Sequence, residues 1–265
     1  MKVELIACTN VLDGDGLGLG GADHVCNMAA KNCVSEEMPR THYFEDTYFF
    51  WEDEDLKSLK HALFSGHESV IEHAVFCFAI SGISRACSHQ LVRHRLASYS
   101  QQSQRYVKML GKVNESQFDF VTPESLMTTV IDDYWNTESG DNSTLASEEF
   151  ESLMESIGEL YERMIDAGIP EEDARYVLPN ACCTNIVVTM NGRQLRKFFM
   201  LRCCNRAQWE IREMANLMLA EVKKVAPVIF EDAGASCDVL GYCPEQRSCG
   251  KCQKLKTLLD KDTTT

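Results

Sequence analysis

Two long stretches of this chain contain no acid, and that absence constrains it more than any other feature. The first runs from His73 to Asn114 and holds Arg85, Arg93, Arg95, Arg105, Lys108 and Lys112. An even spread of the chain's 40 acids would place about six in those 42 residues. The second runs from Ala174 to Trp209 and holds Arg175, Arg193, Arg196, Lys197, Arg202 and Arg206. Uncompensated guanidiniums destabilise a fold unless something negative meets them, so basic islands in an acidic protein predict anion sites. The densest part of the first island is Arg93 to Tyr106. It packs three arginines, a histidine, three serines and three glutamines into 14 residues. Two such islands predict convergence on one polyanionic ligand set.

The rest of the chain bounds the reading. Its 265 residues suffice for one large domain or two, each with a true core. The net charge of -14 argues against general binding to nucleic acid or to anionic membranes. There is no uninterrupted apolar run of the length a membrane span needs, and the apolar opening Val3 to Ala7 is too short for a secretory signal. The expectation is a cytoplasmic protein. Of its 13 cysteines, the first nine sit mainly in apolar segments and read as small buried hydrophobes in a reducing compartment.

The pattern predicts a mixed α/β chain. Residues 2–8 read as a strand and Ala22 to Cys33 as a helix. Asp55 to Phe64 reads as a helix with Leu56, Leu59, Leu63 and Phe64 on one face. Val75 to Ile80 reads as a buried strand, and Ser84 as the cap of a helix reaching about Arg95, with Gln90 and Arg93 on one face. An aromatic run covers 42–52, and a short helix is expected near Pro123 to Met127. Ser143 or Ser147 opens a strong helix that Gly168 ends. A short helix follows Pro170. Thr184 to Met190 is β-branched and predicts a strand, followed by a turn at Asn191-Gly192. Two further helices are expected, Arg193 to Arg202, with Leu195, Phe198, Phe199 and Leu201 as its apolar side, and Ala207 to Val225.

Two short motifs are weak. Gly16, Gly18 and Gly21 spell G-x-G-x-x-G, but a polar gap separates them from the first strand and no acidic second strand follows, so a flexible glycine loop is the better reading. The loop from Gly66 to His73 contains His67, Glu68, Glu72 and His73 but misses the H-E-x-x-H spacing of a zinc helix.

Arg93-His94-Arg95, then seven residues, then Ser103 resembles the R-H-R-x7-S signature of the flavin-dependent thymidylate synthases. Upstream, Gly66-His67-Glu68-Ser69 to Glu72-His73, Ser84-Arg85 and Gln90 are similar to the segment that precedes the signature. Downstream, Ala174 to Pro179, Asn191-Gly192-Arg193, Leu201-Arg202 and Ala207 to Ile211 are similar to the family's second half. The resemblance covers about residues 1–230 and leaves 231–265 as a cysteine-containing tail.

That resemblance implies a central sheet flanked by long helices, in a homotetramer with active sites shared between subunits. It implies reductive methylation of dUMP to dTMP, with methylenetetrahydrofolate as one-carbon donor, FAD as mediator and NADPH as reductant. It assigns dUMP to Gln90, Arg93, Gln101, Gln102, Ser103, Gln104, Arg105, Arg175 and Arg202. It assigns FAD to Ser69, Arg93, His94, Arg95, Gln101, Asn191, Arg193 and Lys197. Arg202 takes the catalytic position, where a guanidinium beside the uracil imide acts electrostatically. Two positions depart from the family pattern. Gln101 stands where some members have glutamate, and Lys197 where a neutral amide or imidazole is common. A relative with a hydroxymethylated uridylate product, or a regulatory protein that binds the nucleotide without turnover, are the competing readings.

The tail spaces its cysteines as Cys237-x5-Cys243-x5-Cys249-x2-Cys252. Four thiolates at that spacing are compatible with structural zinc, with free or redox-active thiols, or with disulfides.

Overall fold

A computed structural model describes residues 1–12, 18–36, 56–109, 118–132 and 143–252. The aromatic run at 42–52, the polar stretch at 136–142, Gly14 to Leu17 and Lys254 to Thr265 lie outside the described residues.

The strands are β1 (Lys2–Cys8), β2 (Val11–Leu12), β3 (Gly18–Gly20), β4 (Val75–Ser84), β5 (Ser98–Gln101), β6 (Val130–Asp132), β7 (Ser143–Leu145) and β8 (Cys183–Asn191). The helices are α1 (Ala22–Asn32), α2 (Lys57–Phe64), α3 (Arg85–Leu91), α4 (Ala146–Asp166), α5 (Glu171–Ala174), α6 (Gly192–Arg202), α7 (Trp209–Val225) and α8 (Ser236–Leu240). Four strands form the main sheet in the order β1-β4-β8-β5, and β2-β3 and β6-β7 are antiparallel pairs. This is the mixed α/β architecture that the pattern predicts.

The chain divides into two compact units that interleave along the sequence. One comprises residues 1–2, 80–92 and 100–186; the other comprises 3–79, 93–99 and 187–265. In the first unit, α4 buries Met154, Gly158 and Tyr161, spaced four and three apart on one face. Met154 packs with Phe118 and Cys182, with Phe120 and Phe150 against them. The Tyr161 hydroxyl is buried and accepts the Met109 N–H at 3.2 Å, so its polar end is satisfied. Helix α4 ends at Gly168, whose φ of 82° lets Ile169 N–H reach back to the Met164 carbonyl. Leu153 and Leu160, although apolar and spaced seven apart on the same helix, stay 55% and 40% exposed.

In the second unit, Phe76, Phe199 and Phe230 pack edge to face, with ring centres 5.3 and 5.9 Å apart. Both carboxylate oxygens of buried Asp23 accept backbone N–H groups, from Val228 at 2.9 Å and Ile229 at 3.1 Å. Burial still raises the Asp23 pKa; the two hydrogen bonds only partly oppose it. That contact fastens α1 to the segment after α7 across 205 residues of sequence.

Five expectations are corrected. Helix α2 buries Leu56, Leu59 and Ala62, while Phe64 is 93% exposed. The Ser84 hydroxyl accepts Cys87 N–H, as a cap should, but the helix stops at Leu91, so Arg93 lies beyond it. Residues 68–73 form a 3-10 helix rather than a plain loop. Asn191-Gly192 is not a turn: β8 passes straight into α6, with the Asn191 side-chain oxygen accepting Gln194 N–H at 2.9 Å. Of the glycine run, Gly18 to Gly20 is strand and Gly21 precedes α1, so that part of the run is ordered structure.

Gly192 sits where side chains have no room. Its N–H donates to the Ala74 carbonyl at 2.8 Å, and a Cβ built on it would lie 2.8 Å from the Ile71 carbonyl oxygen. Gly192→Ala is therefore expected to destabilise the protein by about 1–3 kcal/mol, the usual range for overpacking. Thermal unfolding of the variant beside wild type measures this; an unchanged Tm would contradict the close approach.

Candidate functional site

The expected site residues fall in both units. Gln90, Gln101, Gln102, Ser103, Gln104, Arg105 and Arg175 belong to the first; Ser69, Arg93, His94, Arg95, Asn191, Arg193, Lys197 and Arg202 belong to the second.

In the first unit, the amides are held by the ends of β5 and β8. Gln101 Nε2 donates to Ser88 Oγ at 2.9 Å and to buried Thr184 Oγ1 at 3.2 Å. A glutamate at this position would receive hydrogen bonds from those hydroxyls instead, so the substitution reverses the donors without losing the anchor. Gln102 pairs with Asn185 twice: its N–H donates to the Asn185 carbonyl at 2.8 Å, and its side-chain oxygen accepts Asn185 Nδ2 at 3.1 Å. The chain then turns. The Ser103 carbonyl accepts Val107 N–H at 3.1 Å and its hydroxyl accepts Arg105 N–H at 3.2 Å. Gln104 Nε2 points to Cys182 Sγ at 3.8 Å, and burial pushes that thiol up to about 12. Cys182 is thus a thiol, not a nucleophilic thiolate, at neutral pH.

Two arginines of this unit reach Glu172, Arg105 at its carboxylate and Arg175 at its backbone carbonyl. Arg105 Nε lies 3.4 Å from a Glu172 carboxylate oxygen, and Arg175 Nε donates to the Glu172 carbonyl at 3.0 Å. Arg85 adds to the cluster: burial and the nearby Arg175 charge lower its pKa, although the Cys182 thiol opposes this. Gln90 stands half-buried near the end of α3.

In the second unit, Arg202 Nε donates to His94 Nε2 at 3.0 Å. This brings together a residue assigned to the uracil and one assigned to the flavin. His94 is buried, its ring edge-on to Phe198 with centres 4.9 Å apart, and its carbonyl accepts the Tyr99 hydroxyl at 2.8 Å. Burial first, then the charges of Arg202 and Lys197, lower the His94 pKa to about 4. The imidazole is therefore neutral at pH 7, with Nε2 as the acceptor and the proton on Nδ1. Tyr99 has no assigned role in the resemblance. Its place five residues after His94, inside the signature, is the signal that finds it.

Asn191, Arg193 and Lys197 line one cleft of about 660 Å3, with Leu96, Met200 and Leu201 as an apolar wall. That volume lies in the usual range for small-molecule sites. Arg193 is paired there with Glu72 at 2.6 Å and more loosely with Glu68 at 3.9 Å. Arg196, buried, meets Glu68 at 3.4 Å and Asp232 at 2.6 Å. Ser69 lines a different cleft of about 560 Å3, with His61, His67 and Lys57. Arg93 and Arg95 are exposed and make no ion pair among the described residues.

The basic islands are thus only partly uncompensated. Glu172, Glu68, Glu72 and Asp232 come from outside them and neutralise Arg105, Arg193 and Arg196.

A family model described as thymidylate synthase complementing protein matches residues 19–228. The chain belongs to this family. The flavin-dependent thymidylate synthase of Geobacter sulfurreducens is 52% identical over 194 residues, covering 73% of this chain and 75% of the relative. That of Clostridium tetani is 46% identical over 248 residues, 89% of this chain and 92% of its own. Among solved structures, a UMP/dUMP methylase, PolB from Streptomyces cacaoi, superposes with a TM-score of 0.62 at 22% identity, covering 87% of this chain and 93% of that one. That likeness concerns the fold. Among the described residues, no helix is long and apolar enough to cross a membrane.

The lowered His94 pKa has a sign that can be checked. In the unfolded chain the ring takes a proton near pH 6.5, while in the folded protein it resists until about 4. Unfolded chains therefore bind more protons in that window, and the contribution of His94 to stability is full above about pH 6.5 and is lost as pH falls toward 4. A plot of Tm against pH for His94→Gln is expected to be shallower than wild type between those values. Parallel plots would remove His94 from this role.

Proposed function

We propose that this chain is a flavin-dependent thymidylate synthase, converting dUMP to dTMP with FAD, methylenetetrahydrofolate and NADPH. The observation that carries the reading is the 52% identity to a relative of that name over 73% of this chain, with Arg93-His94-Arg95 and Ser103 intact.

The 660 Å3 cleft suits a flavin dinucleotide: Arg193 and Lys197 offer charge to a pyrophosphate, Asn191 an amide, and Leu96, Met200 and Leu201 an apolar surface to a ring system. His94, Arg95 and Ser69 are the further FAD contacts that the family pattern assigns. FAD, when bound, supplies the reducing chemistry of the methyl transfer.

The nucleotide falls to the other set. Arg105 and Arg175 gather about Glu172, and the turn at Ser103 presents a hydroxyl beside them, a donor set suited to a dianionic phosphate. Gln90, Arg93, Gln101, Gln102 and Gln104 supply the remaining polar contacts. Arg202 acts on the ring. One of its five N–H donors is engaged by His94, and the terminal nitrogens are left for the uracil imide. Because His94 is neutral, the pair carries one positive charge, all of it on the guanidinium. That charge favours the ionised imide and raises electron density at the carbon that receives the methyl group. Arg202 stays protonated throughout, so its contribution is electrostatic.

The family pattern further supports residues 1–230 as the synthase portion, 231–265 as an appended tail, a cytoplasmic site of action and a homotetramer with shared active sites. Light scattering is then expected to give a mass of roughly 120 kDa, four times the 29.9 kDa chain; a monomer mass would reject the assembly.

Arg202→Ala is expected to retain FAD absorbance while dTMP formation falls by about 10²–10³-fold, the loss typical of one transition-state donor. Anaerobic NADPH should still bleach the flavin in that variant. Wild-type protein that binds no FAD and oxidises no NADPH with dUMP present would overturn the reading altogether.

A further inference from the structure

The tail and the end of α6 enclose a chamber lined by six of the chain's 13 cysteines: Cys203, Cys204, Cys237, Cys243, Cys249 and Cys252. They come from two separate segments, the end of α6 and the tail, so the fold rather than local spacing assembles them. Cys237 and Cys243 are buried with Ala235, and Cys203, Cys204 and Cys252 pack against them. All are free thiols.

The tail has little else to hold it. Across residues 236–252 the buried positions are Cys237 and Cys243 alone, and the regular structure is the five-residue α8. So small an apolar contribution does not fix a loop-rich segment; comparable segments use disulfides or a metal. The backbone is shaped to wrap a centre. Gly241 and Gly250 take φ of 73° and 87°, each reversing the chain between cysteines. Ser248 Oγ accepts Gly250 N–H at 3.1 Å and donates to the Cys252 carbonyl at 3.4 Å, fixing the turn that presents Cys252. On the opposite wall, Cys204 Sγ accepts Arg206 N–H at 3.5 Å, a bond that stabilises negative charge on sulfur.

The sulfurs of Cys237 and Cys252 and a carboxylate oxygen of Asp238 all lie within 4.8 Å of one another; among the described residues no further thiol joins that set. Two sulfurs on a tetrahedral zinc, each about 2.3 Å from the ion, stand about 3.8 Å apart. Asp238 is taken by Lys251, whose ammonium lies 2.8 and 3.0 Å from its two oxygens, so thiolates are the available ligands. The open space is about 10 Å3, enough for one water-sized body and too small for an iron-sulfur cluster.

We propose that this chamber is a structural zinc site in which one Zn2+ is held by the preformed pair Cys237 and Cys252, with two of Cys203, Cys204 and Cys243 drawn in from the chamber wall on binding. Cys249, exposed, stands outside the ligand set, in contrast to the tail-only quartet that spacing suggests. Binding converts four thiols to thiolates and releases their protons to solvent. The ion then clamps the tail onto the last turn of α6, where the Ser236 hydroxyl already donates to the Met200 carbonyl at 2.9 Å.

The test uses the full chain expressed in zinc-supplemented medium, with elemental analysis for metal content. One zinc per chain is expected, and cobalt substituted for it should give the intense bands of a tetrahedral thiolate site. Cys237→Ser and Cys252→Ser should each cut retained zinc by about tenfold or more, since even an outer-shell partner costs that much. Cys8→Ser, an exposed cysteine on β1, should retain it. A chelator should lower the Tm of wild type and leave that of Cys252→Ser unmoved. Wild type that holds no zinc and gives no cobalt-thiolate spectrum overturns the proposal. So does zinc held equally well by both serine variants, or iron with sulfide in place of zinc. The cobalt spectrum needs no variant, so a serine substitution that fails to fold leaves the proposal decidable.

Discussion

The backbone of Gly192 lies against the carbonyl of Ile71, and much of the second unit depends on that approach. There is no space for a side chain there. Because the two backbones touch, the first turn of α6 is held beside the 3-10 helix of residues 68–73. Glu68 and Glu72 come within reach of Arg193 and Arg196, and Asn191 is placed at the start of the helix with its oxygen engaged. At the far end of the same rigid helix stands Arg202. One close contact therefore sets the cleft at one end and the guanidinium at the other.

The electrostatics are built from neutralised pairs and a few unpaired cations. Arg196 is buried and meets two acids and the Ile229 carbonyl, so it holds structure. Arg193 and Arg105 are exposed, and their pairs are weak and yield readily to a better partner. Arg202 pairs with a neutral imidazole. It therefore keeps its whole charge while its direction is fixed, a combination that a carboxylate partner would not give.

Much of this was legible in the sequence. The long helices announced themselves through apolar spacing, and β8 through β-branching. The family residues were legible because R-H-R-x7-S and the blocks around it are continuous strings. What the sequence hid was set by tertiary contact. Phe64 carries the right spacing for burial, yet among the described residues none covers it. Asn191-Gly192 has the composition of a turn; its real constraint is the approach of Gly192 to the Ile71 carbonyl, 121 residues away in the chain. The acid-free blocks look uncompensated because Glu172, Glu68 and Glu72 lie just outside their bounds and Asp232 lies well beyond them. The tail cysteines read as a set of four until folding adds Cys203 and Cys204.

Glu172 has a consequence for any anion that approaches Arg105. Such an anion does not meet a bare guanidinium in water; it exchanges with a tethered carboxylate 3.4 Å away. The free energy gained is the difference between two ion pairs, which is smaller than either. Both partners are about half exposed, so the resident pair is weak and gives way readily. Arg175 is held by the backbone carbonyl of the same residue, a neutral acceptor that orients the guanidinium and leaves its charge whole. One residue thus steadies two cations, one by charge and one by geometry alone.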